Sequence, residues 1–362
     1  MIKPIRIFTE KNHGEMKDWR NHLIHPIRAY WGDGTVEWEK WKKDFDFYKN
    51  YFVLTETPQN CDVAFLPFTL NYYVKINKIE LFKKFLTKMQ EFQKKVFVWV
   101  EGDHDVNFNH PNCIFIKYLG YKSNNIPKMI IQPGDLKDDL LKKYYDGQLN
   151  IREKSIRPSI GFVGMADYST IKLALLIIKQ CLKKCRYYFQ STLFESGSVI
   201  PYFVHRKTFL ERIKNTHGIT SNFILRKTFA EGVRSNDLNA RMAFIDNIIN
   251  NDYTFCMRGG GNYSLRFYET LCLGRIPLFI NTNCVLPFEE KIDWKNLCLW
   301  VDEKNVDRIG EIIIDFHSSI TNKEFKEKQL YAREVWEKYL SKEGFTNGLY
   351  LLLKNRYLAM DK

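Results

Sequence analysis

Three consecutive glycines stand between an apolar run and a helical pattern in the stretch RGGGNYSLRFYETLCLGRIPLFI, residues 258–280. These are Gly259, Gly260 and Gly261. Glycines let a ligand approach the backbone closely, and Asn262 or Ser264 can cap the helix that follows. The N–H groups and the dipole of that helix start favour an anion, so the stretch predicts a site for a pyrophosphate.

Charged side chains in the same stretch suit a nucleotide. Arg258 and Arg266 can give charge-assisted hydrogen bonds to phosphates. Helical spacing places Asn262, Arg266 and Glu269 on one face, with Glu269 two turns from the anion end, where its carboxylate can accept both hydroxyls of a ribose. The alternative is a mobile loop followed by a surface Arg–Glu pair.

The elements that position this loop follow an alternating pattern. Apolar runs predict strands, and apolar residues at helical spacing predict helices between them. The predicted strands are Ile5–Phe8, Val63–Phe68, Val96–Val100, Ile114–Ile116, 159–163, 253–257 and 276–280, and the predicted helices are Ile79–Lys94, 170–184 and Val306–His317. A last helix is predicted from the spacing of Phe325, Ala332, Trp336 and Tyr339.

This alternation predicts an α/β protein with two Rossmann-like domains that face a central cleft. We expect an N-terminal domain over 1–155, a second over 156–335, and a closing helical segment over 336–362 that packs back toward the first domain. Ligands of such sheets bind outside the carboxyl ends of the strands.

Composition excludes several classes of protein. The chain has 362 residues, of which 45% are hydrophobic and 27% charged, so it is neither disordered nor collagen-like. The longest apolar window, Ile171–Leu182, is interrupted by Lys172 and Lys179 and does not predict a membrane span. Since the N-terminus shows no signal peptide, the expected location is the cytoplasm, with peripheral contact at a membrane surface left open.

The positive charge is concentrated. The net charge is +13, and residues 151–250 hold 16 basic and 7 acidic side chains. A nucleic acid, an anionic membrane, a phosphorylated small molecule or a solvated basic surface would each suit that stretch. No nucleic-acid-binding motif is present, so nucleic acid is not expected as a partner.

The cysteines and tryptophans give no separate site. Eight cysteines without a CxxC pair are expected to be reduced core residues, and Cys181 and Cys185 lack a second ligand pair for zinc. The stretch 10–50 contains four tryptophans, for which there are three alternative interpretations. They stack on an acceptor sugar, they pack in the core, or they form an interface with a partner. These are Trp19, Trp31, Trp38 and Trp41.

The stretch 258–280 and the following NCVLPFEEKIDW together resemble the signature of exostosin-type glycosyltransferases, glycosyltransferase family 47. The matched residues are Ser264, Arg266, Glu269, Gly274, Pro277, Leu286, Pro287 and Phe288. A weaker similarity covers Pro58, Asp62, Ala64 and Pro67. Arg258 departs from the lysine that is common at its position.

The resemblance implies a GT-B fold and an inverting, metal-independent enzyme that needs no cofactor beyond its donor. A nucleotide sugar, expected to be a UDP-sugar, would bind the C-terminal domain, with Arg266 at the diphosphate and Glu269 at the ribose. A glycan or a lipid-linked saccharide would be the acceptor. Gly164, in the strand-turn GFVGMADYS, would approach the donor phosphates, unless it belongs to a plain strand-to-helix turn. Arg226 and Lys227 would reach a pyrophosphate or a lipid-linked acceptor, unless they belong to a solvated face.

An inverting enzyme needs a base for the acceptor hydroxyl, which the resemblance places on the N-terminal domain. The strand Val96–Val100 delivers Asp103 or His104 to its tip, and Glu10 and His13 are the next candidates. The alternative is that the aspartates cap a loop and His104 is a surface histidine.

Asp103 and Asp105 also form a DxD motif, which holds a divalent cation in metal-dependent GT-A glycosyltransferases. Such an enzyme, and a catalytically inactive GT-B-like scaffold, are the two alternative functions.

Overall fold

The computed structural model describes residues 3–122, 129–134, 139–166, 168–189, 193–195, 197–227 and 238–358. Within these ranges the strands form two separate parallel sheets. The strands are short, and most are buried on both faces by helices and loops, as is usual for parallel sheets.

The first sheet has six described strands in the order β2-β1-β3-β4-β5-β6. Their bounds are β1 Ile5–Phe8, β2 Phe52–Leu54, β3 Val63–Phe65, β4 Val96–Val100, β5 Cys113–Lys117 and β6 Met129–Ile131. All neighbours pair in parallel, so the loops after β1, β3, β4 and β5 emerge at one edge of the sheet.

The second sheet has five described strands in the order β11-β10-β9-β7-β8, also parallel. Their bounds are β7 Ser159–Met165, β8 Thr220–Arg226, β9 Tyr253–Cys256, β10 Ile276–Asn281 and β11 Leu299–Asp302. Strand β8 lies at the edge and alternates between exposed and half-buried residues, unlike the buried central strands.

Helices connect the strands. In the part of the chain before β7 the described α-helices are α1 Met16–His22, α2 His25–Arg28, α3 Val36–Lys42, α4 Leu70–Lys75, α5 Ile79–Glu91 and α6 Leu140–Tyr145. After β7 they are α7 Thr170–Phe189, α8 Tyr202–Asn215, α9 Leu238–Ile249, α10 Leu265–Cys272, α11 Trp294–Leu297, α12 Ile309–Ser319, α13 Asn322–Val335 and α14 Lys342–Leu352. Shorter helical turns cover Lys11–His13, Lys43–Asn50, Pro58–Asn60, Glu303–Arg308, Trp336–Leu340 and Leu353–Tyr357.

Two parallel sheets with helices confirm the predicted α/β, GT-B-like fold. Two predicted strand bounds, Ile5–Phe8 and Val96–Val100, agree with the structure. The run predicted as Val63–Phe68 ends at Phe65, because Pro67 cannot donate a ladder hydrogen bond. Strands β2, β6, β8 and β11 were missed, since they are short or lie at an edge where the apolar pattern is weak.

Most tryptophans of the N-terminal stretch belong to the core. Trp19, Trp31 and Trp38 are buried in one cluster, and the indole N–H of Trp38 donates to the carbonyl of Trp31 at 2.9 Å. Trp41 is half-buried and packs on Trp38. The core interpretation is therefore right for these three residues, and their rings are not available to stack on a sugar.

The last helices of the chain contact the first sheet. The hydroxyl of Tyr350 donates to the carbonyl of Lys3 at 2.9 Å, and the ring of Tyr357 packs edge-on against Phe97 with centroids 5.4 Å apart. Arg333 in α13 binds Asp139 at 2.6 Å, which ties the segment between the sheets to the same helices. No helix in the described ranges is long and apolar enough to cross a membrane.

Glu10 and His13 belong to a structural hydrogen-bond network beside β1. His13 is buried, and its Nε2 donates to the carboxylate of Glu10 at 2.9 Å, so its Nδ1 accepts from the hydroxyl of Tyr73 at 2.7 Å. Lys88 also binds Glu10, at 2.5 Å. The hydrogen bond from His13 and the Lys88 ammonium lower the pKa of Glu10 to about 2.

A Glu10→Gln variant tests this network through the pH dependence of stability. Because the pKa of Glu10 falls from its usual 4.5 to about 2 on folding, its contribution is present at neutral pH and disappears as pH drops through that window. We expect the variant to lose about 1–3 kcal/mol of unfolding free energy at pH 7, discounted for partial exposure, and the difference to shrink below pH ~4.5. Urea unfolding at several pH values measures it.

Glu56→Gln, at an exposed position, is the matched control. A difference between wild type and Glu10→Gln that stays constant down to acid pH would contradict the assignment of the low pKa to Glu10.

Candidate functional site

The tip of β4 meets the glycine loop after β9. The hydroxyl of Tyr263 donates to Oδ1 of Asp103 at 3.1 Å. A Cβ atom at Gly260 would lie 2.6 Å from Oδ2 of Asp103, and one at Gly261 would lie 3.0 Å from the Asp103 Cα. The loop therefore needs glycine for a close approach between the carboxyl edges of the two sheets.

A polar cavity of about 210 Å³ lies at this meeting point. Asp103 and His104 line it from the first sheet, and Arg258 and Gly260 line it from the second. The structure thus brings Asp103 and His104 together with Arg258 and Gly260, whereas Arg266 and Glu269 are not among the residues that line this cavity. Glu195 also lines the cavity, and burial and the Asp105 carboxylate raise the pKa of Glu195.

Arg258 forms one wall of the cavity. Its side chain is 4% exposed, and its guanidinium lies 3.9 Å from the ring centroid of Tyr202. Its two terminal nitrogens donate to the Tyr121 hydroxyl at 2.8 Å and to the Gly260 carbonyl at 3.1 Å. Its Nε atom is buried and has no hydrogen-bond partner among the described residues.

Arg266 lies beneath the end of β7. It donates to the carbonyl of Val163 at 2.5 Å and its guanidinium lies 4.3 Å from the ring centroid of Phe162. A Cβ atom at Gly164 would lie 2.7 Å from its Nη2, which explains the glycine there. Burial lowers the pKa of Arg266.

A third arginine, Arg206, was not found from the sequence. It donates to the carbonyl of Met165 at 2.9 Å and to the carbonyl of Arg258 at 2.8 Å, so it ties the end of β7 to the glycine loop. Burial and the neighbouring Arg266 lower the pKa of Arg206 to about 9. It stands in the middle of α8, where one arginine among several basic residues gives no sequence signal.

These three guanidinium groups lie at the end of β7 and beside the glycine loop. In the described part of the chain none of them has an ion pair, and the Nε atom of each is buried without a hydrogen-bond partner. Partly desolvated cations without a counter-charge favour binding of an anion, and planar guanidinium groups suit phosphate oxygens. The arrangement can hold a diphosphate at the carboxyl end of the second sheet.

Other predicted loop residues have roles that the sequence did not give. Asn262 lies before the helix rather than on its face, and its amide donates to the carbonyls of Gly120 at 3.1 Å and Thr282 at 3.3 Å. Ser264 occupies the N-cap position of α10 but makes no capping hydrogen bond with its side chain. Both findings correct the predicted helix face and cap, since the helix begins only at Leu265.

Glu269 is half-buried on α10. Its carboxylate pairs with Arg241 of α9 at 2.8 Å, and not with Arg266. The pair fixes the carboxylate about one turn after the start of α10 at Leu265, and not two turns as predicted. Arg241 was also missed, because the pairing depends on how two helices distant in sequence pack.

The β4 tip separates two carboxylates of the DxD motif. Asp105 is buried and pairs with Lys117, which is also buried, while Asp103 is exposed toward the glycine loop. Nδ1 of His104 is buried and has no hydrogen-bond partner within the described ranges. No group of three or more His, Cys, Asp or Glu residues suited to a metal ion occurs in those ranges.

Arg226 and Lys227 lie at the end of β8. Arg226 donates to the carbonyl of Ala240 at 2.9 Å, and Lys227 lines a second cavity of about 400 Å³. The other lining residues of that cavity include Met165 and Tyr168, so the turn after β7 contributes to it as well.

The fold and the site define a two-domain α/β protein with a polar cavity where its two sheets meet. Residues 205–315 match the family model described as the Exostosin GT47 domain. The match contains Arg206, the glycine loop and α10, and it confirms the resemblance to exostosin-like glycosyltransferases that the sequence motif predicted.

Curated proteins show the same relationship over short segments. Exostosin-1 of Drosophila melanogaster is 36% identical over 88 residues, which is 24% of this chain and 11% of that protein. The Exostosin-1 homolog of Caenorhabditis elegans is 33% identical over 107 residues, 30% of this chain and 27% of that protein. A probable beta-1,4-xylosyltransferase of Arabidopsis thaliana is 34% identical over 61 residues, 17% of this chain and 15% of that protein.

The chain thus aligns with between a tenth and a third of the length of these three relatives. Among solved structures, an S. aureus TarM mutant in complex with Fondaparinux, alpha-GlcNAc-glycerol and UDP aligns over 72% of this chain and 55% of that one. Its sequence identity is 12% and its TM-score 0.32.

Gly164→Ala tests the anion site without removing a charge. The added methyl group would strain the backbone, whose φ is 159° here, and would displace the Arg266 guanidinium. We expect the affinity for inorganic pyrophosphate to fall about 10-fold or more, the order of one charge-assisted hydrogen bond. Isothermal titration calorimetry measures this affinity, and thermal unfolding checks the fold.

Gly259→Ala is the matched control, because nothing lies within 4 Å of a Cβ atom there. Equal pyrophosphate affinity for wild type and Gly164→Ala would show that Arg266 does not bind the anion.

Proposed function

We propose that this protein is an inverting, metal-independent glycosyltransferase that moves a sugar from a UDP-sugar to a hydroxyl group of a glycan or a lipid-linked saccharide. The observation that carries the proposal is one cavity lined by Asp103 and His104 on one side and by Arg258 and Gly260 on the other. Donor binding and proton removal can take place there within one site. The exostosin resemblance supports the reaction class.

The donor belongs to the domain over 156–335. Arg258 and Arg266, joined by Arg206, bind the diphosphate, and the backbone at Gly259, Gly260 and Gly261 lets it approach closely. Glu269 accepts the ribose hydroxyls. Arg241 holds that carboxylate in its orientation.

The acceptor belongs to the domain over 1–155. His104 takes the proton from the acceptor hydroxyl, whose oxygen then forms a bond to the anomeric carbon of the sugar. The bond from that carbon to the diphosphate breaks, and its electron pair leaves with the nucleotide. Attack from the face opposite the leaving group inverts the anomeric centre, and the arginines stabilise the negative charge that develops on the diphosphate.

His104 is the better candidate for the base, and Asp103 for a positioning residue. The Nδ1 atom of His104 is buried at the cavity without a described partner, so it can accept a proton. Asp103 instead accepts a hydrogen bond from Tyr263 and packs on the glycine loop. This arrangement lets Asp103 hold the β4 tip against the donor loop.

The metal-dependent GT-A alternative suits the chain less well. The buried pair of Asp105 with Lys117 uses one carboxylate of the DxD motif, and the strands form two separate parallel sheets. The scaffold alternative differs from an enzyme only in turnover, so the experiments below separate binding from transfer.

Donor binding is tested by thermal unfolding with UDP, GDP, CMP and UDP-sugars, with and without EDTA. A ligand at 100 times its dissociation constant should add about 2.7 kcal/mol of stability. We expect UDP to raise the melting temperature equally with EDTA, and Arg266→Ala to lose the effect. Arg308→Ala, in an exposed ion pair with Glu311, is the control.

A rise that requires a divalent cation would favour the GT-A alternative. No rise with any nucleotide would remove the donor site from the proposal.

The base is tested by His104→Gln. We expect turnover of the UDP-sugar to fall about 100-fold or more while UDP binding stays unchanged, since a general base contributes 10²–10⁴-fold. Release of UDP, by transfer or hydrolysis, is the readout. His217→Gln changes an exposed histidine and should leave both quantities unaltered.

Full turnover in His104→Gln would assign the base elsewhere, with Glu195 as the neighbouring carboxylate. UDP binding without turnover in the wild type would support the scaffold.

A further inference from the structure

Helix α7 presents an apolar face that no described part of the chain covers. It runs for 20 residues from Thr170 to Phe189, and none of its residues is buried. Ile171, Leu175, Ile178 and Leu182 are 74%, 62%, 56% and 60% exposed. Their spacing of four, three and four residues puts them on one side of the helix.

The opposite side of α7 faces the protein and the cleft. Its less exposed residues are Leu173, Ile177, Gln180, Lys184 and Tyr187, again at helical spacing. Lys184 lines the 210 Å³ cavity, and the Tyr187 hydroxyl accepts a hydrogen bond from Asn107 at 3.1 Å. These contacts hold the inner side of α7 against the protein. The apolar row on its outer side therefore faces solvent in the folded chain.

Positive charge borders the apolar side. Lys172, Lys179, Lys183 and Arg186 form a second row along the helix, and the helix sequence has no acidic residue. A sequence with an apolar face, a strip of cations and too little apolar length to span a bilayer is typical of a helix that lies in the plane of a membrane surface.

We propose that α7 docks this protein on an anionic lipid surface, with the apolar row in the acyl boundary and the cationic row at the headgroups. A second copy of the chain suits the face less well, because an antiparallel pairing of two apolar rows would bring two rows of like charge together. A nucleic acid would leave the apolar row exposed to water. An anionic bilayer can bury the apolar row and pair with the cationic row at the same time.

Docking has a consequence for the cleft. Lys184, on the inner side of α7, lines the 210 Å³ cavity that His104 also lines. Lys172 and Leu176 line the second cavity, of about 400 Å³. The helix that would lie on the membrane thus also borders both cavities. Surface docking itself does not depend on the proposed transfer reaction, since it is measured without nucleotide.

The test is co-sedimentation of the full chain with vesicles of phosphatidylcholine and of equimolar phosphatidylcholine and phosphatidylglycerol, at low and high salt. We expect binding to the anionic vesicles that weakens with salt. Lys179→Gln/Lys183→Gln should lower the partition coefficient about 30-fold, because each lysine near an anionic surface contributes about 1 kcal/mol to binding. Leu182→Ser should lower it about 10-fold or more.

Matched controls come from other exposed helices. Lys83→Gln/Lys84→Gln in α5 removes the same charge, and Leu330→Ser in α13 removes the same side chain at a site that is 52% exposed. Both controls should bind as the wild type does. All the substituted residues are exposed, so thermal unfolding should show unaltered folds.

A spectroscopic measurement locates the contact. Among the described cysteines only Cys181 and Cys185 are exposed, and both lie on α7, which corrects their assignment to the core. After Cys181→Ser, an environment-sensitive fluorophore on Cys185 should shift to the blue with anionic vesicles.

Absence of binding, or equal losses in the control variants, would overturn the proposal. Light scattering that shows a dimer which Leu182→Ser converts to a monomer, without vesicle binding, would assign the face to a second copy instead.

Discussion

Three guanidinium groups at the carboxyl edge of the second sheet set the constraint on which the surrounding structure depends. Arg206, Arg258 and Arg266 are held by main-chain carbonyls and aromatic rings, and in the described ranges no carboxylate pairs with any of them. Holding cations together with little water is costly, and the lowered pKa values of Arg206 and Arg266 express that cost. A bound diphosphate would supply the missing charge.

Small residues make this arrangement possible. Gly164 leaves room for the Arg266 guanidinium, and Gly260 and Gly261 leave room for the Asp103 side chain and backbone. A side chain at any of these three positions would meet another atom at 3.0 Å or less, so Arg266 packs closely on the end of β7 and the β4 tip packs closely on the glycine loop. The glycines thus serve packing between the two sheets as well as the approach of a ligand.

Helix α7 connects the pocket with the outer surface. On its inner side, Lys184 lines the cavity. On its outer side, leucines and isoleucines are exposed to solvent beside a row of lysines. One side of this amphipathic helix therefore faces the cavity, and the other side faces solvent. In the proposed docking on a membrane, α7 would therefore hold the cleft at a fixed distance from the lipid surface.

The sequence by itself determined the α/β class, the bounds of β1 and β4 and the glycine loop, because each depends on residues that are near one another in the chain. Only the tertiary structure decided that Tyr263 binds Asp103, 160 residues away, and that Arg206 binds the carbonyl of Arg258, 52 residues away. Periodicity specifies which side of an element is apolar, and not which distant element it meets. The site is built from such contacts between residues distant in the sequence. Their pairing therefore could not be predicted from the sequence and is given only by the tertiary structure.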